Sequence, residues 1–116
     1  MEETKRVKPI ILRFDDGREY TLEFNRETVR FAEQRGFDIN DLNKYPMTKL
    51  PELFYYSFRM HHMNVSRAET DRILFDELHG LPIGMAERLG ELYGAPFAAL
   101  SNDTGDEKNL KVTVEM

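Results

Sequence analysis

Residues 9–24, PIILRFDDGREYTLEF, alternate apolar and polar side chains on both sides of a polar centre. Ile10, Leu12 and Phe14 precede that centre and Tyr20, Leu22 and Phe24 follow it, which predicts a β-hairpin. Parity selects the turn. A two-residue loop at Asp16-Gly17 would pair 14 with 19 and 12 with 21, setting apolar side chains opposite polar ones. A three-residue loop, Asp15-Asp16-Gly17, pairs 14 with 18, 12 with 20 and 10 with 22. All the large apolar side chains then share one face, and Gly17 takes the left-handed position of a bulged turn.

After the hairpin the period changes. Asn25 is a good N-cap, and Arg26 to Arg35 holds no helix breaker before Gly36, so a helix of about three turns follows, with Val29, Ala32 and the flanking Phe31 toward the hairpin. Residues 36–47 are rich in turn formers and predict a loop with one helical turn, anchored by Phe37, Ile39 and Leu42. A second helix is expected from about Lys49 to His62, capped by Thr48, with Pro51 in its first turn. Its wheel is apolar nearly all round. Leu50, Leu53, Phe54, Ser57, Phe58, Met60 and His61 fall within about 160°, Tyr55, Tyr56, His62 and Met63 widen that surface, and Thr48, Glu52 and Arg59 make a narrow polar strip. Such a helix is either central or shared between core and partner.

Ser66-Arg67-Ala68-Glu69 has the form of a capping box, so a third helix should begin at Arg67 and end near Leu78, with Asp71, Leu74, Phe75 and Leu78 on its inner stripe. Pro82 suits the first turn of a fourth helix. Its face is Met85, Ala86, Leu89, Leu92, Tyr93, Phe97 and Leu100, and Pro96 predicts a stop or kink at Gly94-Ala95 followed by a short further turn. Residues 101–109, SNDTGDEKN, read as a polar linker. Beyond them Leu110, Val112, Val114 and Met116 alternate with polar residues as in a strand that pairs with the hairpin or with a partner. The expected architecture is α+β: one domain over 1–100, an N-terminal antiparallel hairpin packed on about four helices, then a linker and strand-like tail over 101–116, which offers a third strand.

Composition narrows the function. The chain of 116 residues is 41% hydrophobic with no Cys, so it can bury one real core but has no disulfide, thiolate metal site or cysteine nucleophile. With no apolar run near the roughly 18 residues of a membrane span, the expectation is an intracellular, cytoplasmic protein. The net charge of −5 comes from 16 basic and 21 acidic residues with the acidic excess toward the C-terminus. No segment is a basic block, and nucleic acid is not expected as a partner. The helix, Gly turn and helix around Gly80 have the outline of a helix-turn-helix, but Glu87, Arg88 and Glu91 make the wrong face for reading base edges.

Candidate chemistry is sparse. His61 and His62 diverge by about 100° on a helix, and no His pair has the i, i+4 spacing that shares a metal. No nucleophile elbow, P-loop or dinucleotide fingerprint occurs, so no catalytic residue, cofactor site or metal site is expected. The remaining signal is apolar surface on the second helix. Tyr55 and Tyr56 lie off its main stripe, and the thioethers of Met60 and Met63 suit a core gap or an adaptable binding face.

The order and spacing of FDDGREYTLEF, NRETVRFAEQRGF, PMTKLPELFYYSFRMHH, SRAETDRILFDEL and KNLKVTVEM resemble the small tail assembly chaperones of siphophages and of prophages in Gram-positive bacteria. The likeness spans nearly the whole chain through structural signatures, none of them catalytic. It implies a non-enzymatic protein that coats the hydrophobic tape measure protein, keeps it soluble and helps recruit tail tube subunits; self-association along the client is a separate expectation of the apolar surface. On that reading Tyr55, Tyr56, Met60 and Met63, together with a strand at Leu110, Val112 and Val114, are the partner-binding residues. The rival readings are a generic interaction or regulatory module of a mobile element, and a small enzyme.

Overall fold

The computed structural model describes residues 7–100 and 115–116. Strands β1 (Ile10–Arg13) and β2 (Glu19–Leu22) form the antiparallel hairpin, with Ile10 opposite Leu22, Leu12 opposite Tyr20 and Arg13 opposite Glu19. This is the three-residue-loop register. The Phe14 amide donates to the Arg18 carbonyl at 2.9 Å, and Gly17 sits at φ 97°. A Cβ placed on Gly17 would meet nothing within 4 Å, so only the backbone demands glycine there. Gly17→Ala is therefore expected to cost about 1 kcal/mol, read as a shift in urea midpoint at unchanged slope. Gly17→Asn should cost less, since Asn tolerates the left-handed region.

Helix α1 (Arg26–Gln34) begins in a reciprocal cap: the Asn25 side chain accepts from the Thr28 amide at 2.9 Å, and the Thr28 hydroxyl accepts from the Asn25 amide at 2.8 Å. A 3-10 turn over Ile39–Asp41 punctuates the following loop, where Phe37 is buried. Helix α2 (Pro46–Phe58) starts earlier and stops earlier than its pattern suggests. Pro46, with φ preset for a first turn, takes that position in place of a Thr48 cap, and Pro51 falls inside the helix.

Helix α3 (Arg67–Arg72) opens where Ser66 accepts from the Glu69 amide at 3.1 Å. The expected reciprocal half of that box is absent. The Glu69 carboxylate instead accepts from the Tyr20 hydroxyl at 3.4 Å, tying the helix to the hairpin. The helix widens into a π-turn over Ile73–Glu77. Leu74 is buried as expected, but its companions on the buried line are Thr70 and Ile73; Asp71 and Leu78 are half-buried and Phe75 is exposed. Thr70 can be buried because its hydroxyl donates to the Arg67 carbonyl at 3.0 Å, and Phe75 is thereby turned outward.

Helix α4 (Met85–Gly94) follows Gly84 at φ 87°, so Pro82 belongs to the turn before it rather than to its first turn. A 3-10 segment over Ala95–Leu100 continues from α4, the change of helix type falling at Gly94-Ala95 as Pro96 predicts. The tighter winding rotates Phe97 and Leu100 off the inner face occupied by Met85, Leu89, Leu92 and Tyr93.

The core is an aromatic seam. Tyr20, Phe58 and Phe54 meet edge to face at 5.3 and 5.0 Å, and Phe24, Tyr93, Phe37 and Tyr56 continue the series at 5.1, 5.5 and 5.6 Å. α2 sits at its centre. The C-terminal end of α2 also seals the edge of β2 that faces away from β1: the Glu23 amide donates to the Ser57 carbonyl at 3.0 Å and the Thr21 amide to His62 Nε2 at 2.9 Å. Outside the core, Arg18 clamps the hairpin turn to the π-turn. Its guanidinium lies 4.3 Å over the Phe14 ring, holds Asp16 at 2.9 Å and reaches Glu77 at 2.7 Å. That hydrogen bond is the main reason the Glu77 carboxyl titrates below the usual carboxylate range.

Candidate functional site

The end of α2 divides the expected partner-binding residues among different environments. Tyr56 is a core residue: it is 8% exposed, meets the Phe31 ring edge-on and the Phe37 ring at a tilt, and burial raises the pKa of its phenol. A ring packed on that many neighbours cannot also cover a partner. Tyr55, beside it, is half-buried, as is Met60, while Met63 is 64% exposed. Leu110, Val112 and Val114 lie outside the described residues.

Met60 and Met63 line a cleft of about 280 Å³ between α1 and the end of α2, walled by Glu27, Thr28, Phe31, Gln34, Arg30 and Arg59. Arg59 is stacked 3.6 Å over the Phe31 ring centroid and Arg35 lies 4.3 Å from it. The methionines therefore share their surface with guanidinium groups. A second cleft, of about 180 Å³, runs between α1 and the 3-10 segment, where Val29, Phe97 and Leu100 are bordered by Arg26 and Arg30.

A more apolar groove, of about 130 Å³, lies elsewhere. It is built from Pro46, Met47, Leu50 and Pro51 of α2 facing Leu74, Phe75 and Leu81 around the π-turn. Met47 is 87% exposed and Phe75 53% exposed, so large side chains stand out beside a floor of buried Pro51 and Leu74 and half-buried Leu50 and Leu81. The reading from sequence missed it. The available signal was the excess of apolar positions just after α3, where Ile73, Leu74 and Phe75 are consecutive and a helical turn cannot bury all three on one side. The Arg18 and Arg72 bonds to Glu77 hold the π-turn that presents Phe75.

Two of the three histidines, His61 and His62, work within the fold. His61 Nε2 lies 2.9 Å from a Glu23 carboxylate oxygen, and His62 accepts the Thr21 amide while its ring packs on Tyr20 at 5.2 Å. Burial, then the neighbouring His61, lowers the His62 pKa. The folded chain thus prefers the neutral ring. Below about pH 6.5 the unfolded chain binds a proton here that the folded chain resists, so this contribution is fully present above that pH and declines through the window beneath it. Unfolding free energy should fall more steeply from about pH 7 to pH 5 in the wild type than in His62→Gln, whose amide oxygen can accept from Thr21 without titrating. Equal slopes would remove His62 from this role.

Among the described residues, no three His, Asp or Glu side chains are placed to hold a metal ion, and no helix is long and apolar enough to cross a membrane. The model of the family described as "Domain of unknown function (DUF5055)" matches residues 4–116, so the chain belongs to that family. No curated protein and no solved structure matches the chain.

Proposed function

We propose that this DUF5055 member is a non-enzymatic holding and assembly factor: a tail assembly chaperone of the bacterial cytoplasm that keeps the tape measure protein soluble and helps recruit tail tube subunits. The observation that supports this reading best is apolar surface left outside a complete core. Leu53, Phe54, Phe58, Leu89 and Leu92 are sealed, yet Met47, Met63 and Phe75 stay exposed. A solvent-facing Met and Phe flanking an apolar floor in which Leu50 and Leu81 are half-buried is the arrangement that takes up an apolar helix face, because the thioether adapts its shape to different occupants. Weak, adaptable contacts also suit a client that must later be released.

Co-expression with a tape measure fragment tests the reading. The client is expected in the soluble fraction with this chain and in the pellet without it. Client solubility indifferent to this chain would overturn the proposal and leave the interaction-module reading, which has the same exposed surface but a different partner.

A further inference from the structure

The described arginines are not distributed alike. Arg13, Arg18, Arg30, Arg67, Arg72 and Arg88 each lie within 4 Å of a carboxylate. Among the described residues, Arg26, Arg35 and Arg59 do not, and the link between Arg30 and Glu27 is a 3.6 Å contact between exposed side chains. All four belong to α1 or its flanks, or to the end of α2 facing it. In a chain of net charge −5, this cleft gathers Arg30, Arg59 and, stacked on its Phe31, Arg35 against one lining carboxylate, Glu27, and Met60, Met63 and Phe31 supply apolar surface there. Stacking on Phe31 fixes Arg35 and Arg59 before any partner arrives, which lowers the ordering cost of pairing them.

We propose that the cleft between α1 and the C-terminal end of α2 receives an acidic amphipathic segment of a partner protein. Its carboxylates pair with Arg30, Arg35 and Arg59 while its apolar side chains lie on Phe31, Met60 and Met63. Charge complementarity favours carboxylates, and the methionines favour a protein over a nucleic acid. Phosphate recognition needs no thioether floor, and the acidic remainder of the chain would repel a polyanion running past the cleft. This deepens the holding reading by giving one class of client segment its chemistry, and it rests on that reading only for the client's identity.

The test uses the full chain and three fluorescent probes: a helical peptide of about 20 residues with Glu beside a Leu/Met stripe, the same peptide with Lys for each Glu, and a single-stranded oligonucleotide of equal charge. The acidic peptide should bind at least roughly tenfold tighter than the Lys peptide, and the preference should weaken as salt rises. Arg59→Glu combined with Arg35→Glu should reverse the preference, a gain of Lys-peptide binding that misfolding cannot imitate. Arg35→Glu alone, at an exposed position, should lower the preference in the same direction. Equal affinity for the two peptides, or oligonucleotide binding that depends on Arg59 and exceeds that of the acidic peptide, would overturn the proposal. Failure of the tape measure co-expression with this peptide preference intact would count against the holding reading alone.

Discussion

Replacing Phe58 by alanine is expected to remove about 3–5 kcal/mol of folding stability, the range for deleting a buried phenyl ring whose surroundings relax only partly. Phe58 is 1% exposed at the point where the hairpin meets α2, with Tyr20, Phe54 and His62 at 5.3, 5.0 and 6.4 Å. Tyr20 comes from β2, while Phe54 and His62 lie one turn to either side along Phe58's own helix and its continuation, each held by its own packing, so no single side chain can swing in to fill the void. Against a total of roughly 5–15 kcal/mol, the loss brings the domain close to unfolding at 37 °C. Urea denaturation followed by circular dichroism reads it as a large fall in midpoint. Phe58→Leu, which keeps most of the volume, should cost much less. A Phe58→Ala loss below about 1 kcal/mol would mean that the aromatic seam does not hold the hairpin to the helices.

Why so much of this core was legible in the sequence, and the groove beside Phe75 was not, follows from the same chemistry. Register in the hairpin is decided by side-chain parity, a local rule, and Leu12 opposite Tyr20 leaves no competing solution. The cap at Asn25 and the stop at Gly36 are equally local. The departures arise where tertiary contacts choose between near-equal local options. On α3 the stripe turned to Thr70 and Ile73 because Thr70 satisfies its own hydroxyl and Glu69 is drawn to Tyr20. That rotation exposes Phe75 and opens the groove beside Met47. On α2, Tyr55 and Tyr56 are adjacent and equally apolar. Only the arrival of Phe31 and Phe37 decides that Tyr56 is the one buried.

Phe75→Glu is expected to separate holding from folding. Phe75 already faces water, so the change should leave stability within about 0.5 kcal/mol of wild type. Docking a client would bury the exposed half of the ring. That is on the order of 100 Å², which at ~25 cal/mol/Å² is worth ~2.5 kcal/mol. Loss of that term weakens binding roughly fifty- to hundredfold before the cost of burying a carboxylate is added. In co-expression with a tape measure fragment, the variant should be soluble itself while the client returns to the pellet. Met47→Glu, across the groove, should act in the same direction, and Phe75→Leu, which restores apolar area, should recover holding. Tyr56→Ala should behave in the opposite way, losing stability first and holding only as a consequence, because Tyr56 is spent on the core. If Phe75→Glu holds the client as well as the wild type does, the groove between α2 and the π-turn is not where the client lies. A drop in stability for Phe75→Glu as large as that for Tyr56→Ala would instead mean that this ring supports the fold and is not spare surface.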